Sequence, residues 1–268
     1  GADASEYRYA GVYGRLSYSW QEKYFLNGTV RRDGSSRFGA DNEFGNFGAV
    51  GAAWVFSKER WMSGEAHWLN FGKLRASYGT TGSDQIADYG FLSTYSAPSG
   101  FSYQGISSLR PTLIANPYFG WEMDKKLETG LELGLLNDRF HLTLDYYRNR
   151  TGNQLVGQPL PSTAGFMTVV ANLPAVVQNS GLEITVNTTN IRKKSFSWTS
   201  DLTFTLPRNK LVSFPGLASN SGYKFLYAVG KSIYTKNQLR YTGVDPQTGV
   251  YTYQDVNKDG QIDVNDYQ

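Results

Sequence analysis

The chain is built on a two-residue alternation of apolar and polar side chains, in runs of roughly ten residues, the strand length a bilayer core requires. In the run 140–147, Phe140, Leu142, Leu144 and Tyr146 fall on one side of an extended backbone. His141, Thr143, Asp145 and Tyr147 fall on the other, because strand side chains alternate between faces. Many such strands, with no amphipathic helix to cover the apolar faces, imply hydrocarbon as the cover. The pattern predicts an all-β fold, an antiparallel transmembrane β-barrel, and transport rather than catalysis.

Eight strands can be read. The first spans 9–20, with Val12, Leu16, Tyr18 and Trp20 opposite Tyr13, Arg15, Ser17 and Ser19. After a turn at Gln21–Lys23, the second (24–31) sets Tyr24, Leu26 and Val30 against Asn27, Thr29 and Arg31. A polar loop is expected over 32–46. The third strand (47–55) is small and apolar on both faces, and the fourth (69–79) opposes Leu74, Ala76 and Tyr78 to Lys73, Arg75 and Ser77. A long Gly-, Ser-, Tyr- and Pro-rich segment follows over 80–120. The fifth (126–135) places Leu127, Leu131, Leu133 and Leu135 away from Lys126, Glu128 and Glu132, and turns at Asn137–Arg139 into the sixth (140–147). A second long loop is expected over 150–178. Strand seven (181–188) carries Leu182, Ile184 and Val186 on its apolar face, and a turn at Arg192–Lys194 leads to strand eight with Phe196, Trp198, Leu202, Phe204 and Leu206. Beyond Pro207 the period weakens, with one or two more strands expected before Tyr253.

Connections alternate between short or moderate and long, the parity of outer-membrane barrels with short periplasmic turns and long extracellular loops. Tyr18, Trp20, Tyr24, Phe196 and Trp198 gather near strand ends, where amphipathic rings suit the lipid–water boundary. A soluble β-sandwich has the same alternation strand by strand; strand length, loop parity and aromatic placement together favour the barrel. The net charge of +3 gives no electrostatic case for nucleic acid, and the absence of cysteine excludes disulfides and thiolate metal sites. A mean hydropathy of −0.43 is compatible with a barrel, where only alternate strand residues touch lipid.

Several motifs resemble one family. Val30-Arg31-Arg32-Asp33-Gly34-Ser35-Ser36-Arg37-Phe38-Gly39 and Leu74-Arg75-Ala76-Ser77-Tyr78-Gly79-Thr80-Thr81-Gly82 are the more specific. Asn116-Pro117, Trp121-Glu122 and Asn179-Ser180-Gly181-Leu182-Glu183 are weaker alone. Together, over nearly the whole chain, they resemble the SusC/RagA family of TonB-dependent outer-membrane transporters. The resemblance implies a plugged barrel in the cell outer membrane of a Gram-negative, Bacteroidetes-type bacterium, importing oligosaccharides or peptides. It also implies a SusD-like surface lipoprotein as lid and TonB as the energy source. A plugged transporter barrel has about 22 strands against the eight to ten read here, and neither a plug nor a TonB box is visible. Residues 1–268 therefore read as a segment of the barrel, with long loops near 80–120 and 150–178.

The sharpest local motif runs from Asp255 to Asp266. Asp255, Asn257 and Asp259 stand at positions 1, 3 and 5 of a calcium-type loop, Gly260 at 6, Gln261 at 7 offering its carbonyl, Asp263 at 9 and Asp266 at 12. Its expected role is a structural Ca2+ site. Tyr95, Phe101, Tyr103 and Tyr118, with Phe119, are candidates for contact with substrate or lid, and loop packing is an equal alternative. Arg31, Arg32, Asp33 and Arg37 read as a solvated Asp-Gly turn at a loop mouth rather than as a substrate or plug contact. Glu128, Glu132, Asp145, Glu183 and Asp201 would line the lumen. With only His67 and His141, no nucleophile motif and no nucleotide-binding glycine spacing, an enzyme is not expected. The alternative from another class is a soluble calcium-dependent carbohydrate-binding β module.

Overall fold

The computed structural model describes residues 5–62, 68–97, 102–103, 106–107, 109–220 and 222–267. Fourteen strands are present among them. β1 (Tyr9–Trp20), β2 (Tyr24–Ser35), β3 (Phe44–Trp54) and β4 (Leu69–Ser83) come first. Four short strands follow: β5 (Thr94–Ser96), β6 (Ser102–Tyr103), β7 (Ile106–Ser107) and β8 (Arg110–Leu113). Then come β9 (Glu122–Leu135), β10 (Phe140–Pro159), β11 (Thr168–Arg192), β12 (Ser197–Ser213), β13 (Tyr241–Val244) and β14 (Tyr251–Tyr253).

Eight strands form one antiparallel sheet in the order β1-β2-β3-β4-β9-β10-β11-β12. These are the eight expected from the alternation, and the order is a meander in which each strand pairs with its predecessor among the wall strands. The sheet does not close: β1 and β12 are its two outer strands. The later strands β13 and β14 form a separate hairpin and add nothing to the wall.

Four connections lie at one end: 21–23, 55–68, 136–139 and 193–196. At the other end lie 36–43, the long 84–121, 160–167 and the chain after Ser213. The three shortest turns gather at the first end and the longest connection lies at the second, as expected of a periplasmic and an extracellular end, although 55–68 is longer than 36–43 and 160–167. The turns at Gln21, Glu22, Leu136, Asn137 and Asp138 use positive φ, which allows strand reversal in two or three residues.

Four expected boundaries are corrected. The polar loop over 32–46 shrinks to 36–43, because β2 and β3 pair as far as Gly34 opposite Phe44. β9 begins at Glu122, ahead of its first leucine, where β4 supplies partners as far as Ser83. β12 runs through Pro207, which pairs with Gly181.

The largest correction concerns the loop expected over 150–178. β10 and β11 continue as one hairpin to Pro159 opposite Thr168, leaving only 160–167 as connection. β9 stops at Met123 opposite Gly152, so above that level the two strands rise as a ribbon. A bulge between Gly152 and Gln154 marks the change, with Asn153 at φ 58°. Alternation fails as a signal here because both ribbon faces are covered by protein. Leu155 and Val170 pack on Phe38, Phe47, Phe119 and Trp121. On the opposite face Val156 and Leu173 pack with Ala175, Val177, Leu211 and Phe214, under Tyr223, Tyr227 and Ile233. Each fully buried large side chain contributes about 1.5–3 kcal/mol.

Candidate functional site

The two faces of the eight-stranded sheet differ in chemistry. One carries Val12, Leu16, Tyr18 and Trp20 of β1 and Leu202, Phe204 and Leu206 of β12, all exposed, with Leu16 at 73%. An exposed apolar face on this scale needs a cover, and among the described residues none packs over it. Hydrocarbon is the cover a strand wall accepts.

The opposite face is charged and cross-linked. Arg75, Gly130, Asp145 and Glu183 are register partners across β4, β9, β10 and β11. Arg75 and Asp145 stand two strands apart, about 9–10 Å at the ~4.8 Å strand spacing. Arg75 still reaches over β9, and its Nη2 donates to Asp145 Oδ1 at 2.5 Å. Gly130 permits this: a Cβ there would sit 2.7 Å from Arg75 Nε. Arg75 Nε also donates to Glu132 Oε1 at 3.2 Å, and Lys73 Nζ donates to the same oxygen at 3.2 Å. Two cations and two carboxylates thus cancel across three strands. These pairs are roughly one-third exposed, so each contributes at most about 1 kcal/mol; they fix the charge pattern of the inner wall more than they hold it together. Glu128 and Glu183 join Tyr147 and Asn149 around a recess of about 400 Å³. Of the expected lining, Glu132 and Asp145 are bridged, and Asp201 Oδ1 accepts from Asn187 Nδ2 at 2.7 Å. His141 stands on the same face, opposite Gly134 and Asn187; His67 lies outside the described residues. The role of Gly130 was missed, although a glycine inside a clean strand is a signal of close approach.

At the extracellular end, Arg31, Arg32, Asp33 and Arg37 do not form the expected solvated turn. Arg31 Nε donates to both oxygens of buried Asp33 at 2.6 Å, and its Nη2 donates to Tyr9 at 3.0 Å. Arg37 Nε donates to Asp88 Oδ1 at 2.9 Å, its Nη1 donates to the Asp84 carbonyl at 3.2 Å, and its guanidinium lies 4.3 Å from the Tyr7 ring centroid. Tyr7 and fully buried Ser35 both donate to Asp84 Oδ2 at 2.7 Å. The cluster ties β1 and β2 to the segment after β4. Burial, with the negative Asp84 as acceptor, raises the Tyr7 phenol above its usual value. Arg32 points away, over the Phe44 ring.

Two asparagines fasten the long 84–121 connection to the ribbon. Asn172 accepts from Gly120 N at 2.9 Å and donates to the Gly120 and Asn153 carbonyls at 2.8 and 2.9 Å, while Asn153 Nδ2 donates to the Trp121 carbonyl at 2.9 Å. This clamp lies inside the stretch read as a loop. Among the aromatic candidates, Tyr95 on β5 and Tyr118 are exposed, Tyr118 at 85%. Tyr103 is placed by its backbone in the β6–β7 hairpin, and Phe101 lies outside the described residues. Phe119 is 2% exposed and belongs to the ribbon core, so of its two expected roles it takes the packing one.

Residues 255–266 form a tight loop. Asp255 accepts from Lys258 N and Gly260 N at 2.6 and 2.8 Å, Asn257 Oδ1 accepts from Asp259 N at 3.0 Å, and Asp259 Oδ1 accepts from Gln261 N at 2.8 Å. Gly260 takes the sharp turn at φ 82°. Asp263 caps the short turn Val264–Asp266, accepting from Asn265 N at 2.7 Å. Asp266 is fully buried. Its Oδ2 accepts from Asp263 N at 3.0 Å and its Oδ1 from Val256 N at 2.7 Å. Those N–H donors, Asp263 first, hold its carboxyl below the usual carboxylate range. Among the described residues no three His, Cys, Asp or Glu side chains converge as a metal cluster. A calcium donor set would draw on the Asn257 amide oxygen and the Gln261 carbonyl beside the Asp255 and Asp259 carboxylates, with Asp266 closing the loop.

A TonB dependent receptor-like β-barrel model matches residues 2–267. The chain belongs to the TonB-dependent receptor family. It is 32% identical over 260 residues to TonB-dependent receptor P39 of Formosa agariphila, covering 96% of this chain and 24% of that protein. It is 30% identical to SusC of Bacteroides thetaiotaomicron over 76% of this chain and 21% of SusC. The solved RagAB peptide transporter superposes with a TM-score of 0.81 at 25% identity, over 98% of this chain and 28% of that one. The chain thus spans about a quarter of the length of the relatives it matches. Members of this family are outer-membrane β-barrel proteins. That assigns the apolar face to lipid and the bridged face to the barrel interior, and it leaves no place for the soluble carbohydrate-binding module.

Proposed function

We propose that the chain supplies wall and extracellular loops to an importer of oligosaccharides or peptides. A SusD-like surface lipoprotein would close over the mouth, and TonB would drive transport through a plug belonging to the whole transporter. The observation that carries this reading is the pairing, in one sheet, of a lipid-facing exterior with a charged, internally bridged interior. The kinship with SusC and the likeness to the RagAB peptide transporter support it. The test is uptake of labelled peptides and labelled oligosaccharides by cells with and without the full-length transporter, in TonB-containing and TonB-deficient backgrounds. The reading requires that uptake of one class depend on both proteins; uptake of neither class depending on them refutes it.

Exposed Tyr118 and Tyr95, with Tyr103 and Phe101 on the same connection, are the proposed contacts for lid or ligand. Tyr118→Ala is expected to weaken co-purification of the lipoprotein without changing barrel yield. The loop from Asp255 to Asp266 is proposed as a structural calcium site using Asp255, Asn257, Asp259 and the Gln261 carbonyl, with Asp263 beside them. Calorimetric titration of the full-length protein should show a binding heat that Asp255→Ala and Asp259→Ala abolish.

A further inference from the structure

The lipid-facing side of the wall is not evenly covered. Ala52 on β3, Ala76 on β4 and Thr129 on β9 are register partners. They put two methyl groups and one short hydroxyl side chain side by side. One row toward the periplasm stand Trp54, Leu74 and Leu131, also register partners. On the far flank Tyr146 and Leu182 continue the small row with large side chains. The result is an apolar groove of about 700 Å³ floored by the small residues and walled by the large ones. On β3 it is lined from Ala52 to Trp54.

Two observations define what fills it. The groove is continuous with the face that lies in hydrocarbon, and a gap on such a face forfeits dispersion contacts on every wall atom unless hydrocarbon enters. Its periplasmic end is closed by polar groups. Tyr24 Oη and Trp54 Nε1 both donate to Glu59, at 2.6 and 3.1 Å. Lys23 Nζ donates to Glu59 at 3.2 Å and Lys58 Nζ to Glu22 at 2.7 Å. An apolar channel therefore runs up to a hydrogen-bonded rim that carries two ammonium groups, each paired with a carboxylate, a change from apolar to zwitterionic surroundings like that along a lipid from chain to headgroup.

We propose that this groove seats one acyl chain of a glycerophospholipid from the periplasmic leaflet, with its zwitterionic headgroup at the level of the Lys23–Glu59 and Lys58–Glu22 pairs. A chain lying there touches protein on its floor and both sides, whereas a chain on the convex wall touches one side. The seated lipid exchanges more slowly than its neighbours.

The test uses the full-length transporter extracted under mild conditions, with phosphatidylethanolamine as the probe. Native mass spectrometry should find a retained phospholipid in the wild type and its loss in Ala76→Leu, which fills the floor. A phosphatidylethanolamine carrying a photoreactive group on its acyl chain should label peptides containing Ala52 and Ala76 severalfold more than the one containing Leu16. This arm needs no variant, so it decides the question if Ala76→Leu does not fold. Equal phospholipid retention in the filled variant overturns the proposal, as does even labelling along the wall. So does cross-linking of the groove to a second protein chain in place of lipid.

Discussion

The membrane wall and the extracellular ribbon are continuous stretches of the same strands, yet they are held in opposite ways. In the wall, apolar side chains such as Leu16 are exposed and polar ones face inward. In the ribbon, both faces of β10 and β11 are packed against protein, with Phe119 and Trp121 on one side and Leu211 and Phe214 on the other. Wall strands depend on their surroundings for cover; the ribbon brings its own. Backbone pairing is common to both, so the difference lies in what touches the side chains.

The sharpest way to break this comparison is Trp121→Ala. It empties the centre of the Phe38–Phe47–Phe119 cluster and removes the Nε1 donor to the Glu43 carbonyl. A loss of about 3–5 kcal/mol is expected, seen as faster hydrogen exchange at 86–91, 116–121 and the upper ribbon while the lower strands keep their protection. Uniform loosening would mean that the ribbon has no core of its own.

Leu16→Arg tests the wall. A cation at mid-wall on the lipid face costs about 2–4 kcal/mol, whereas Thr203→Arg on the inner face should fold nearly as the parent does. Equilibrium unfolding in lipid vesicles measures both, and equal penalties would reverse the assignment of faces. Asn172→Ala comes next. It leaves the Gly120 N–H and C=O without their partner, at about 1–3 kcal/mol, and should raise protease cleavage near residue 120 without altering insertion.

The smallest effect concerns pH. The Asp266 carboxyl is held below its usual value by backbone N–H donors. A depressed carboxylate contributes stability that is present above its unfolded-state pKa of about 3.9 and lost as pH falls through the lower folded value. Limited proteolysis of 255–266 should therefore begin below about pH 4, and Asp266→Asn should be open already at neutral pH. Unchanged cleavage between pH 7 and the acid limb would remove Asp266 as the closure of the loop.

Eight wall strands and the facing of all but the third, whose residues are small and apolar on both sides, were legible because one side meets hydrocarbon and the other water, and that contrast writes a period of two into the sequence. The ribbon was not legible. Leu155, Val156, Val170 and Leu173 are apolar whichever way they point, so the period disappears where protein covers both faces. The site was read in a similar proportion. Glu132 and Asp145 were placed on the inner face by alternation, but their bridge through Arg75 depends on register across three strands and on the missing side chain of Gly130.

The sequence by itself therefore determined strand identity, family and the facing of every wall strand but the third, since each is a property of residues adjacent along one chain. Only the tertiary structure decided which charges cancel, where the Asn153–Asn172 clamp grips the long connection, and that Ala52, Ala76 and Thr129 align into a groove. The physical reason is the same for all three. Each depends on which residues of separate strands become register partners or are packed together, and that is fixed by the pairing of the whole sheet and the packing of the ribbon above it rather than by any local run of side chains.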